Sequence, residues 1–319
     1  MFTSALRLSL LAVAGIALTL PASAETRITY KSAKSSSSYY QMGVQIAEAM
    51  KAGTNGDIIV TVEESQGSVQ NVMETRARGA DYVFTTPPAL VGLAQSGKAM
   101  FEGKTSPKFA DIRALFPIPS LTMHFVMSKE SEVNDFTDLE GTTLLLGKGS
   151  FGAREGTKYL KLFGLEGKVK LAEVELSNAV PALKNGQIDG FVTAGSWPAP
   201  NVIEAAASTD VNVLSLTDEQ IAKTKRAKIV IPAGTYAGQE TAITTTSLPV
   251  VAYTTTAMDD DTAYQLTKTF WETKAKMSET ARWWDGVDQG LMGTITGKIH
   301  PGAVRYYEEA GFTLTDAQQ

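Results

Sequence analysis

The residues with the most chemical potential lie together in one stretch. Gly147-Lys148-Gly149-Ser150-Phe151-Gly152 follows the apolar run Leu144-Leu145-Leu146 and precedes Tyr159, Leu160 and Phe163 at helical spacing. The order predicts a buried strand, a glycine turn and a helix that ends at Gly164. The first N–H groups of such a helix have no partner within it, and the helix dipole adds positive potential at the same end. A carboxylate or a phosphate is the natural occupant of that position. The plainer reading is a tight turn whose glycines serve only the backbone. The same six residues fit the dinucleotide pattern G-x-G-x-x-G, with Glu173 or Glu175 about where a ribose-binding acid belongs. They do not form a P-loop, because no G-x-x-x-x-G-K-[ST] occurs. They do not form a nucleophile elbow either: Lys148, not glycine, stands two residues before Ser150.

Few other groups offer chemistry. The chain has two histidines, His124 and His300, and nothing in the sequence sets either beside Ser150, so both are read as structural. The absence of Cys excludes disulfides, thiolate metal sites and cysteine catalysis. Acidic runs such as Glu63-Glu64 and Asp259-Asp260-Asp261 read as solvated, no metal-ligand spacing stands out, and no cofactor is expected. Lys34, Lys148 and Arg154 are the cationic candidates, each beside a strand-end turn, and the sequence leaves open which supplies a counter-charge. Arg154 can grip a carboxylate with two hydrogen bonds, or it can be an ordinary surface residue of the first helical turn. Tyr39, Phe151 and Trp197 can close over a ligand or pack at a lobe surface.

The elements that must position these groups follow one rhythm. Thr26 to Tyr30 reads as a strand, then come Lys34-Ser35-Ser36-Ser37-Ser38-Tyr39 and a helix carrying Met42, Ile46 and Met50. Asp57 to Glu63 is a second strand leading into Ser68 and Asn71 and a helix reaching Arg78. Tyr82 to Phe84 is a third, ended by Thr85-Thr86-Pro87-Pro88. Three strand ends thus carry small hydroxyl or amide side chains, and in open α/β sheets ligands sit at the carboxyl ends of strands. Asp111–Phe116 and Leu121–Ser128 are expected as separate strands divided by Pro117 and Pro119. Further on, a strand is expected over Val169–Leu176, a short helix over Ser177–Lys184, and a strand over Ile188–Val192 that opens into Thr193-Ala194-Gly195-Ser196-Trp197. After a Thr-rich connection, Leu248 to Thr255 reads as a strand, and Asp259 to Lys276 as a helix. Two α/β lobes facing across a cleft is the natural assembly, with Leu121–Ser128 and Leu248–Thr255 as a paired hinge. The expected division is a leader over 1–24, a first lobe over 25–123, a second lobe over 124–249, and a return to the first lobe over 250–319.

Residues 1–24 read as a secretory signal peptide: Arg7 is the only charge, Leu8 to Leu20 is almost wholly apolar, and Ala22-Ser23-Ala24 is a cleavage pattern. Cleavage after Ala24 and a periplasmic address are expected, with no stable membrane anchor. The remainder carries 34 acidic against 28 basic side chains and no basic patch, which argues against nucleic acid as a partner.

Several stretches together resemble one family. Ser38-Tyr39-Tyr40-x-x-Gly43, Gly67-Ser68-Val69-Gln70-Asn71, Gly79-Ala80-Asp81, Gly149-Ser150, Lys184-Asn185-Gly186-Gln187-Ile188-Asp189-Gly190, Ile231-Pro232-Ala233-Gly234-Thr235-Tyr236 and His300-Pro301-Gly302-Ala303-Val304-Arg305-Tyr306-Tyr307 run in family order. The set is similar to the TAXI-type solute-binding proteins of tripartite ATP-independent periplasmic (TRAP) transporters. The resemblance implies a two-lobed periplasmic-binding-protein fold, type II-like, with a two-strand hinge and a ligand cleft. It implies capture of a small organic anion, such as an acidic amino acid or dicarboxylate, delivery to TRAP membrane subunits, and no catalysis. It places the pocket at Ser36 to Tyr39, Ser68 with Asn71, Thr85 with Thr86, Ser150 to Ala153, and Thr193 to Trp197; Lys34, Gly149 and Arg154 complete the candidate set. The first turn departs from the family by its serines and Lys34, the central turn by Phe151-Gly152-Ala153-Arg154, and the last by Trp197. The rival classes are a secreted enzyme, either a dinucleotide-dependent oxidoreductase or a serine hydrolase, and a subunit that presents its solute to a sensor.

Overall fold

The computed structural model describes residues 25–319 apart from Ser36 and Gly149. The leader reading of residues 1–24 lies outside the described residues. Alternating burial makes β1 (Thr26–Lys31) the first strand. Ser37 caps α1 (Ser38–Gly53), whose Tyr39, Met42, Ile46 and Met50 form the buried stripe. β2 (Ile58–Glu63), α2 (Ser68–Glu74), β3 (Tyr82–Thr86) and α3 (Pro88–Gln95) complete the first run. The long β4 (Ile112–Ser128) then leads to β5 (Thr143–Leu145), α4 (Phe151–Leu162), β6 (Lys170–Ala172), α5 (Ala179–Lys184), β7 (Gly190–Gly195) and α6 (Pro200–Ser208). β8 (Val211–Val213), α7 (Asp218–Thr224) and β9 (Ala227–Ile231) precede the second long strand, β10 (Ile243–Thr255). The chain closes with α8 (Asp260–Thr280) and α9 (Pro301–Glu309).

One sheet runs β2-β1-β3-β10-β4-β7-β5-β6. Its outer pairs are parallel, and β10 and β4 enter antiparallel at the centre. The hydrophobic core divides along these two central strands. One cluster draws on Ile28 to Leu121 and on Val250 to Tyr307. The other two draw only on residues between Met123 and Ile243. β4 and β10 therefore each serve both lobes and form the two-strand hinge. Their ladder slips between Leu248 and Val250, close to where the buried side chains pass from one core to the other. In the first core Phe116 of β4 stacks on Phe270 of α8 at 4.0 Å, and Trp284 meets Phe270 edge-on.

The structure corrects several expected boundaries. Pro117 and Pro119 lie inside β4 rather than between two strands. β7 flanks β4 only from Thr122 onward, so the N–H groups the prolines lack are not missed on that side. Thr85 and Thr86 belong to β3, and Thr193 to Gly195 belong to β7, where they pair with β4. The Thr-rich connection is itself the start of β10, paired with β9, because β-branched side chains suit a pleated surface. The strand expected over Val169–Leu176 shrinks to β6, at the edge of the sheet.

α9 crosses α8 so closely that a methyl group on Gly302 would overlap the Asp260 carbonyl. We expect Gly302→Ala to destabilise the fold by about 1–3 kcal/mol, measured by urea unfolding; an unchanged midpoint would show that the two helices can separate at no cost.

Candidate functional site

A cavity of about 580 Å³ lies between the lobes. Its first-lobe wall is built from strand ends and helix beginnings: Lys34, Ser37 and Tyr39 where β1 leads into α1, Glu64, Gln66, Gly67 and Ser68 where β2 leads into α2, and Thr85 at the end of β3. Leu121 and Val250 of the hinge strands contribute apolar surface. The second-lobe wall holds Lys148, Ser150, Phe151 and Gly152 at the start of α4, Glu175 to Ser177, Val180, Ala194, and Pro200, Asn201 and Glu204 of α6.

Four helices open at this cavity. Ser37 caps α1 by accepting the Tyr40 N–H, which leaves the Ser38 and Tyr39 N–H groups without intrahelical partners. Ser150 does the same for α4, accepting the Ala153 N–H at 2.9 Å and leaving those of Phe151 and Gly152. Gly67 opens α2 with no side-chain cap, and Pro200 opens α6. Gly147 takes the positive φ that the turn before α4 requires. Gly152 lies so near the Ala194 N atom that a Cβ there would approach to 3.1 Å.

Contacts cross the cleft. Lys34 Nζ reaches Glu175 Oε2 at 2.7 Å, and Ser38 Oγ accepts the Ser196 N–H at 3.3 Å. Phe151, from the second lobe, packs against the first-lobe core. Glu64 accepts from the Ser35 N–H at 2.8 Å and from its hydroxyl at 3.1 Å, and these bonds hold the carboxyl below its usual range.

The sequence candidates separate into groups. Lys34, Ser37, Tyr39, Ser68, Thr85, Ser150, Phe151, Gly152 and Ala194 line the cavity. Ser36 and Gly149 lie outside the described residues. Ser38 spans the cleft instead of lining the cavity. Asn71 is fully buried below the wall, and its Nδ2 donates to the Ser32 carbonyl at 2.7 Å and the Thr85 carbonyl at 2.8 Å. It therefore ties the ends of β1 and β3 together. Thr86 and Thr193 are buried within their strands. Ala153 packs on the second-lobe core. Arg154 is exposed on α4, its guanidinium 5.6 Å from the Phe151 ring centre. Trp197 borders a separate pocket of about 150 Å³, shared with Pro119, Ser247 and Trp283. Sequence reasoning missed Leu121, Val250, Leu176 and Val180, whose apolar character reads only as core. Pro200 at a helix start was a readable signal for α6.

Neither histidine lines this cavity among the described residues, and Ser150 Oγ is engaged as a helix cap. His300 caps α9, its Nδ1 accepting the Gly302 N–H while Nε2 donates to the Met258 carbonyl at 3.1 Å. His124, in β4, lies 2.8 Å from the Tyr236 hydroxyl, which accepts the Ala199 N–H at 3.0 Å. The pair thereby fixes the loop that leads into α6.

The NMT1-like family model matches residues 31–311, from the end of β1 to beyond α9. The chain belongs to the NMT1-like family. Solved structures similar to this NMT1-like chain include periplasmic binding protein BugD, 10% identical with a TM-score of 0.55 over 92% of this chain and 99% of that one. A periplasmic transporter structure is 7% identical with a TM-score of 0.56, again over 92% and 99%. A Bordetella bronchiseptica RB50 protein is 16% identical with a TM-score of 0.51, over 92% and 86%. The likeness shows the fold: two α/β lobes of the periplasmic-binding-protein type. No helix among the described residues is long and apolar enough to cross a membrane.

Burial pushes the His124 imidazole down to about 4, and burial also holds His300 below its ordinary range. Between about pH 6.5 and about pH 4 the unfolded chain takes up a proton at His124 that the folded chain refuses. Stability is therefore full above that window and falls as the pH drops through it, by up to about 1.4 kcal/mol per pH unit for one such group. Urea midpoints measured across the window should fall toward acid, and less steeply in His124→Gln; equal slopes would show that His124 titrates alike in both states.

Proposed function

We propose that this NMT1-like chain is an extracytoplasmic solute-binding protein that captures a small organic anion, without chemistry, and delivers it to transporter membrane subunits. The observation that carries this reading is the convergence of helix beginnings from both lobes on one cavity, with Lys148 beside the α4 opening. Unpartnered N–H groups and aligned helix dipoles at such ends favour negative charge. A carboxylate is the simplest occupant. Ligand contacts to both walls then favour the closed arrangement, and the membrane partner recognises that form. The ordered motif set that resembles the TAXI type supports a TRAP-type partner, and the leader expected over residues 1–24 supports a periplasmic site. We assign anion contacts to the Phe151 and Gly152 N–H groups and to Lys148, with Ser37, Ser68 and Thr85 orienting the rest of the solute.

Native mass spectrometry of protein purified without denaturation should release a stoichiometric organic acid. Lys148→Ala should then weaken that acid, in calorimetry, by roughly five- to tenfold for a partly solvated charged hydrogen bond, with an unchanged urea midpoint. A released nicotinamide cofactor would overturn the reading; an unchanged affinity would remove Lys148 from the site.

A further inference from the structure

Building on the anion-capture reading, we infer that the solute is a monoanion with an apolar body of roughly ring size, and that small dicarboxylates and glutamate fit poorly. The charges around the cavity are unequal at its two walls. Five charged side chains line it: Lys34, Lys148, Glu64, Glu175 and Glu204. Lys34 is already paired with Glu175 across the cleft. Among the described residues, Lys148 is the one lining cation that forms no ion pair, and it stands at the α4 opening in the second lobe. Glu204 of α6 lies on the same wall and forms no ion pair among the described residues, so Lys148 and the α4 opening offer a counter-charge for one carboxylate and not for two. On the first-lobe wall the openings of α1 and α2 are accompanied by Glu64, kept charged by the Ser35 hydrogen bonds. A carboxylate there meets a like charge and no free cation, and giving up water without a counter-charge is costly. The donors on that wall suit neutral oxygen atoms better than a second anion.

Besides its hydroxyl and amide groups, the lining has an apolar part that comes from three directions. Leu121 and Val250 belong to the hinge, Leu176 and Val180 to the second lobe, and Phe151 bridges toward the first-lobe core. A cavity of about 580 Å³ is far larger than a four- or five-carbon diacid fills, and it falls within the range of mid-sized ligand pockets. A diacid would leave this apolar surface wet, whereas an aryl or branched alkyl body would cover it.

Calorimetry on the mature protein tests this with 3-phenylpropanoate, 4-methylpentanoate, succinate, glutamate and 3-phenylpropanamide. The two apolar acids should bind at least tenfold more tightly than succinate or glutamate. Leu176→Ala, a half-buried position that should tolerate truncation, should weaken 3-phenylpropanoate by roughly tenfold. Succinate or glutamate binding as tightly as the apolar acids overturns the inference and leaves anion capture standing. The amide binding as tightly as its acid overturns both. Failure of every acid to bind overturns the inference as well.

Discussion

A helix that begins at a cleft arrives with backbone N–H groups its own first turn cannot bond. In this chain four helices do so at one place, and the groups around them are arranged to satisfy some donors and spare others. Ser37 and Ser150 each take the N–H of the third residue on and leave the first two. Of the residues whose donors are spared, Tyr39, Phe151 and Gly152 line the space between the lobes, where water or a solute can meet them. Much else serves their placement. Asn71 joins the strand ends beneath α1 and α2. On the other side, Glu155 of α4 holds Arg226 through two hydrogen bonds, and Tyr159 reaches Thr246 of β10 at 2.7 Å. The helix that presents Phe151 and Gly152 is thus fastened directly to a hinge strand.

The hinge answers a second constraint. Two cores must share a backbone without leaving its polar groups unpaired. β4 and β10 do this by staying paired with each other through the crossing, so that the lobes divide by side chain and not by a break in the ladder. The irregularity at Leu248–Val250 is the local accommodation. Prolines at 117 and 119 are tolerated because β7 does not extend alongside them.

The sequence made the elements legible where one signal dominated. Alternation revealed β1, apolar residues at helical spacing revealed α1 and α4, and the ordered motifs announced the lobed architecture. It misread places where tertiary pairing overrode a local cue. Thr85-Thr86 and Thr193–Gly195 look like turn residues by composition, yet neighbouring strands extend them into the sheet. In the candidate site the polar strand ends could be read, because small hydroxyls gathered after a buried strand add little to packing and much to hydrogen bonding. The apolar wall could not: Leu121, Val180 and Val250 carry no local mark that distinguishes a cavity surface from a packed core. The fate of Arg154 was equally hidden, since one helical step decides whether a first-turn side chain faces the cleft or the solvent.

The divided core has a consequence for the order in which the protein can be made. The second lobe is closed by residues from Met123 to Ile243, a continuous run of chain. The first lobe needs Ala303 and Tyr307 as well as Ile28 and Tyr30. However early its opening strands emerge, their core stays incomplete until the last helix has been synthesised. Contacts spanning almost the whole chain are slow to form. The lobe that appears first is the lobe that finishes last, and its unfinished sheet must be kept from other chains in the interval.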